Sequence, residues 1–130
     1  ARNRLVDFLT TEQPSNPVVL TGDIHSNWVN DIKADFADPG SASIATELVG
    51  TSISSSGNGS DTRETTAGIL SENPFVKFFN GQRGYVTCEL SPSQLKANYR
   101  VLDYVSQPDS PISTRASFLI ESGNPGALRI

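Results

Sequence analysis

Asp23 and His25 stand two residues apart in the stretch VVLTGDIHSNW, residues 18–28, and His25 is the only histidine of the chain. A carboxylate and an imidazole on one side of a segment can reach one ion, or two neighbouring ions. Carboxylate oxygen suits hard cations, and imidazole suits zinc and iron. The aliphatic run before Thr21 reads as a short strand, continuously apolar and so of the kind buried on both faces. If the backbone stays extended beyond it, Asp23 and His25 share a face with Cα atoms about 6–7 Å apart. The C-terminal end of a strand in an open α/β sheet is also where ligands collect, and Gly22 permits a tight turn. Two positions make only a short motif, and a catalytic metal site takes three or more protein ligands. On these residues alone, a metal-binding strand end and an ordinary turn holding one hydrogen-bonded histidine both stand.

Other residues carry weaker signals. Residues 51–66, TSISSSGNGSDTRETT, form a long loop rich in Ser, Gly and Thr. Such a loop can bind phosphate through backbone N–H groups and hydroxyls, or simply be a solvated surface. Arg83, in NGQRGY, presents a planar fork that matches phosphate, and equally fits a solvated turn. Asn27 and Trp28 follow His25 closely enough to line a pocket, although Trp28 also reads as a packing residue. Cys88 falls inward in an alternating pattern and reads as a small core residue.

The elements that must position these groups follow from periodicity. Residues 1–10 place Leu5, Phe8 and Leu9 on one face of a short amphipathic helix, ended by the prolines of TEQPSNP. NWVNDIKADF, residues 27–36, is expected to form a helical turn before Asp38-Pro39-Gly40. SIATELVG reads as a strand. NPFVKFFNGQRGYVTCEL gives an apolar segment, a turn at Asn80-Gly81 and a strand. Ser91, Pro92 and Gln94 carry a helix-start signature, so a short helix is expected there. YRVLDYVS and ISTRASFLIE alternate, with Ile112, Thr114, Ala116, Phe118 and Ile120 on one face. The second half therefore reads as antiparallel strands, each with one buried face.

Bulk properties narrow the classes. With 130 residues the chain is one domain or part of one. Ten basic and fourteen acidic residues leave a net charge of −4, and no basic stripe points to nucleic acid or an anionic membrane. No apolar run is long enough to span a bilayer, and a single cysteine excludes an internal disulfide. There is no methionine, no signal-peptide pattern, and the chain opens in mid-helix pattern, as expected of a fragment or a processed piece.

Taken in order, NPVVLTGDIHSNW, ATELVGTSISS, NPFVKFFNGQRGYVTCEL and YRVLDYVSQPDSPISTRASF resemble the C-terminal part of the alkaline phosphatase D (PhoD-like) family, within the calcineurin-like metallophosphatases. The resemblance covers nearly all of residues 1–125. It implies an α/β fold, the C-terminal part of an αββα sandwich with largely mixed or antiparallel strands and short helices. Residues 1–130 would be that portion of a single metallophosphatase domain. The resemblance further implies exported enzymes, extracellular, in the cell wall or periplasmic, that hydrolyse phosphomonoesters and phosphodiesters, including teichoic-acid-like polymers. Their metal centre would hold iron with calcium; zinc or manganese are the alternatives. The family writes its last metal motif as Gly22-Asp23-Ile24-His25, so Asp23 and His25 carry over as metal ligands. Asn27, Ser52, Ser54 and Arg83 become candidates for substrate contact. The family's other ligands belong to segments upstream, and the pairs Gly57-Asn58 and Gly123-Asn124 come in the wrong order to replace them. The expected partner is therefore the remaining N-terminal part of the phosphatase, in the same or another chain, and residues 1–130 alone are expected to be inactive. The rival reading is a non-catalytic binding or structural module, or one chain of a split phosphatase.

Overall fold

A computed structural model describes residues 1–130 as two four-stranded sheets stacked around one apolar core. The first sheet contains β1 (Val18–Thr21), β2 (Asn27–Lys33), β3 (Ser43–Val49) and β4 (Val76–Asn80), in the order β1-β3-β2-β4. β1 runs parallel to β3, whereas β2 is antiparallel to both β3 and β4. The second sheet is an antiparallel meander of β5 (Gly84–Leu90), β6 (Gln94–Leu102), β7 (Ile112–Glu121) and β8 (Asn124–Arg129). Two short helices accompany them, α1 (Arg2–Glu12) and α2 (Thr66–Glu72). Mixed sheets with few helices are as expected, but the chain is mostly β. No helix is long and apolar enough to cross a membrane.

Alternation builds the core. Val29, Leu48 and Phe78 from the first sheet meet Ala97, Tyr99, Ala116, Phe118, Ile120 and Ala127 from the second. Phe78, Tyr99 and Phe118 pack as a triangle of rings with centroids 5.2–5.9 Å apart. Tyr99 is fully buried, yet its hydroxyl donates to the Trp28 carbonyl at 2.7 Å. That bond ties the sheets together where a buried hydroxyl would otherwise be unsatisfied. Burial pushes the Tyr99 phenol well above its ordinary range.

Several expectations need correction. Residues 27–33 are the strand β2, not a helical turn. Asn27, Val29 and Asp31 point inward at a period of two, but two of the three are polar, which hides the pattern in the sequence. The signature at Ser91 is real but closes a hairpin instead of starting a helix. Leu90 pairs with Leu95, and the Ser91 hydroxyl accepts the Gln94 N–H at 3.2 Å. β1 is an edge strand, so Leu20 is exposed, not buried on both faces. In α1 only Leu9 is buried, while Leu5 and Phe8 are exposed. Cys88 is exposed on the edge strand β5 instead of facing the core.

The chain crosses between the sheets at Gly81-Gln82-Arg83. Gly84, just beyond, lies against β6 so closely that a Cβ would sit 1.9 Å from the Arg100 carbonyl oxygen. Only glycine fits there, and this fixes where the crossover enters the second sheet.

Candidate functional site

β1 ends at Thr21, whose carbonyl accepts the Gly50 N–H at 2.9 Å. The backbone then bends instead of staying extended. Ile24 N–H donates to the Gly22 carbonyl at 2.9 Å, and both Asp23 (φ 71°) and His25 (φ 57°) take the left-handed conformation. Asp23 and His25 are thus set by a turn, not by the alternation of a strand. Gly22 is not the residue that needs its lack of a side chain, for a Cβ there would make only an ordinary contact with the Gly50 carbonyl oxygen at 3.8 Å. The strain falls on Asp23 and His25 themselves, at about 1–3 kcal/mol for each left-handed non-glycine residue. Asp23 is exposed and His25 half-buried, while Ser26 and Asn27 behind them are buried and anchor the turn to β2.

What holds this turn is Arg83. It is 3 % exposed and sits at the crossover beneath the turn. Its Nη1 donates to the His25 carbonyl and, at 3.0 Å, to the Ser52 hydroxyl, while Nη2 donates to the Gly81 carbonyl at 2.8 Å. Its Nε is buried without a partner, and neither ion pair of the structure, Lys77–Asp31 or Arg115–Asp61, involves it. Burial, and then the charge of Arg63, push the guanidinium below its ordinary range. It still stays charged near neutrality, as guanidinium groups in proteins do. Above the turn, His25 Nδ1 lies 3.0 Å from the Ser56 hydroxyl.

A second network anchors the same corner. The Asn27 amide donates to Asn80 Oδ1 and accepts the Thr51 N–H, both at 3.0 Å. Asn80 donates onward to Asp61 at 2.8 Å, and Asp61 accepts a two-pronged pair from Arg115 on β7 at 2.6 and 2.9 Å. The hydrogen bond from Arg115 holds the Asp61 carboxyl below the usual carboxylate range. The Ser/Gly loop is therefore fastened to both sheets.

The structure distributes the sequence candidates unevenly. It brings His25, Ser52 and Arg83 together, with Asp23 two residues away on the same turn. Asn27 is 1 % exposed with both ends of its amide engaged. The Ser52 hydroxyl is committed to Arg83 and to the Ser55 carbonyl, and Ser54 is exposed on the loop. Asn58 of the Gly-Asn pair caps the backbone N–H groups of Val105 and Ser106. Ser56 is a contributor that the sequence does not single out, and Asn80, read there only as a turn residue, is another. No three His, Cys, Asp or Glu residues are close enough to form a metal cluster.

A profile of the family described as PhoD-like phosphatase matches residues 1–99. Alkaline phosphatase D of Bacillus subtilis (strain 168) is 45 % identical over 129 residues, which is 99 % of this chain and 22 % of that protein. A solved structure of PhoD superposes with a TM-score of 0.93 at 44 % identity, over 98 % of this chain and 24 % of the other. The chain thus spans less than a quarter of the length of the relatives it matches.

Proposed function

Because the chain belongs to the PhoD-like phosphatase family, we propose that it contributes part of the metal centre of a metal-dependent phosphoester hydrolase. The observation that carries this reading is the turn: Asp23 and His25 are both left-handed, and the His25 carbonyl is held on the buried guanidinium of Arg83. Strained backbone of this kind persists only where the surroundings over-determine it, and it clusters at functional sites. The donors fit the role. Asp23 offers an exposed carboxylate for a hard ion, and His25 offers an imidazole nitrogen. Iron with calcium is the expected complement, and zinc or manganese the alternative. When bound, such ions supply hydroxide near neutral pH and neutralise charge developing on phosphorus.

The residues of this chain would hold and orient. Asp23 and His25 would be ligands, Arg83 would fix the turn from below, and Ser54 is the serine candidate whose exposure suits contact with a phosphoester. The substrates would be phosphomonoesters or phosphodiesters, teichoic-acid-like polymers among them, met outside the cell or in its wall. Two donors fall short of the three or more that a catalytic ion takes from protein. The rest of the centre, and of an αββα sandwich, would come from a further polypeptide segment. Residues 1–130 alone would therefore be inactive.

Turnover of bis-p-nitrophenyl phosphate with iron and calcium tests this. The 130-residue chain is expected to give none, and a longer polypeptide that carries it is expected to lose turnover on Asp23→Ala. Appreciable turnover by residues 1–130, abolished by the same change, would overturn the claim of inactivity. Full turnover by the longer Asp23→Ala protein would overturn the ligand assignment.

A further inference from the structure

The geometry points to the open edge of the sandwich at β1 and β5 as an interface: there a β-strand from the rest of the phosphatase polypeptide pairs with β1, widens the first sheet and covers Cys88 and Leu90. The identity of that occupant rests on the function proposed above, but the unfilled edge does not.

β1 and β5 are edge strands of the two sheets, and they lie on the same side of the molecule. Leu20 and Thr21 of β1, Ile53 after β3, and Tyr85, Val86 and Cys88 of β5 line one groove of about 260 Å³ between them. Directly opposite residues of an antiparallel pair share a side. Val86, Cys88 and Leu90 oppose Tyr99, Ala97 and Leu95. Tyr99 and Ala97 are fully buried, and Val86 packs on the core. Cys88 and Leu90 continue that apolar row, yet both are exposed, Leu90 by 81 %. They overhang the first sheet, which stops at β1.

The backbone of β1 is open on the same side. The Pro17 and Thr21 carbonyls accept bonds from β3, at the Thr46 and Gly50 N–H groups. The N–H and C=O of Val18 and Leu20 alternate with these and face away from β3, where no strand lies. Edges that stay in water are blunted by charges, proline or bulges. Val18–Thr21 carries none of these, and Leu20 is 64 % exposed. Unpaired main chain flanked by apolar side chains is what an added strand requires. The opposite edge of the first sheet differs, for β4 keeps Phe78 and Phe79 buried.

The chain spans 22 % of alkaline phosphatase D, so most of such an enzyme lies outside residues 1–130. The site needs donors beyond Asp23 and His25, and Asp23 comes two residues after β1 ends. A strand paired with β1 begins or ends beside that turn. One pairing therefore closes the edge and brings further residues to the site.

Cys88 is the only cysteine, and cleavage after Arg83 and Lys96 isolates it on one peptide. In a longer polypeptide that carries this chain, N-ethylmaleimide is expected to label Cys88 at least about a hundredfold more slowly than in urea, and exchange of the Leu20 N–H is expected to slow as much. In the 130-residue chain both should stay within about tenfold of their unfolded rates, and a slow Cys88 there would refute the open edge. Free labelling of Cys88 in the longer polypeptide overturns the interface. A protected Cys88 beside a freely exchanging Leu20 N–H means cover without an added strand, and overturns the pairing. Protection that is lost on dilution means a second copy, and overturns the occupant. Asp23→Ala separates the interface from the ligand role. Full turnover by that variant with both groups protected sinks the ligand assignment alone, and turnover that needs Asp23 in a protein with reactive Cys88 sinks the interface alone.

Discussion

Asn27→Ala should destabilise the fold by about 2–4 kcal/mol, and the figure follows from the partners of the amide. The side chain is 1 % exposed and makes two hydrogen bonds, to Asn80 Oδ1 and from the Thr51 N–H. An ordinary bond of this kind is worth a net of about 1 kcal/mol, but a buried donor left without a partner costs roughly 1–3 kcal/mol. Thr51 N–H becomes such a donor. Asn80 Oδ1 still accepts the Gln82 N–H at 3.1 Å, so its loss stays near the lower figure. With an unfolding entropy of about 2.1 cal/mol/K per residue, the change corresponds to a fall in Tm of roughly 7–15 °C. Urea unfolding followed by the fluorescence of Trp28, the only tryptophan, reads the effect beside the mutated site. The midpoint should fall while the slope m stays constant, which marks a loss of stability without a change in the surface exposed. A midpoint equal to wild type would refute the structural account. Lost phosphodiester turnover in a longer polypeptide with that midpoint intact would assign Asn27 to the substrate instead.

Two more outcomes test the packing of the loop. Gly59→Ala should cost more than about 2 kcal/mol in thermal unfolding, because Gly59 has φ 73° and an added Cβ would lie 1.9 Å from the Gly81 carbonyl oxygen. Gly57→Ala, at φ 71° with nothing within 4 Å, should cost only about 1–2 kcal/mol, and equal losses would refute the contact. Asp61 has a lowered folded-state pKa, so the unfolded chain takes up its proton first as pH falls. Its stabilisation should be complete above about pH 5, beyond the unfolded value near 3.9, and disappear as pH drops through the lower folded value. The urea midpoints of wild type and Asp61→Asn should differ modestly at pH 7 and converge in acid, and a gap that does not narrow as pH falls would refute the pairing.

Much of the architecture is legible where one physical signal dominates. β7 announces itself because Ala116, Phe118 and Ile120 alternate with polar residues and are buried as that pattern requires, although Ile112 and Thr114 of the same expected face are exposed. β2 is illegible because Asn27 and Asp31 are polar yet buried, each satisfied by groups distant in sequence. At Ser91 the local chemistry reads correctly and the element does not, since one hydroxyl-to-backbone bond can start a helix or close a hairpin. β8, with Pro125 and Gly126, has no alternation to read. The spacing of Asp23 and His25 is visible in the sequence, but their left-handed backbone is not. The groups that impose it are remote: Ser56 is 31 residues from His25, and Arg83 is 58. Arg83 also reads equally as a phosphate contact or a solvated turn residue until the crossover places it, buried, under the turn.

The last strand also bears on how fast the molecule can assemble. β8 is fastened to the first sheet by Gly126 N–H on the Thr46 hydroxyl and Ala127 N–H on the Asp31 carboxylate, both at 3.2 Å and spanning 80 and 96 residues of sequence. Pairings this remote must close long loops before they return any energy, which slows folding relative to chains built from local contacts. At about 5–20 residues per second of synthesis, Asp31 would wait roughly 5–20 s for its partner to be made. During that interval Val29, Leu48 and Phe78 have only part of their cover, and apolar surface left open in this way favours aggregation of a nascent chain.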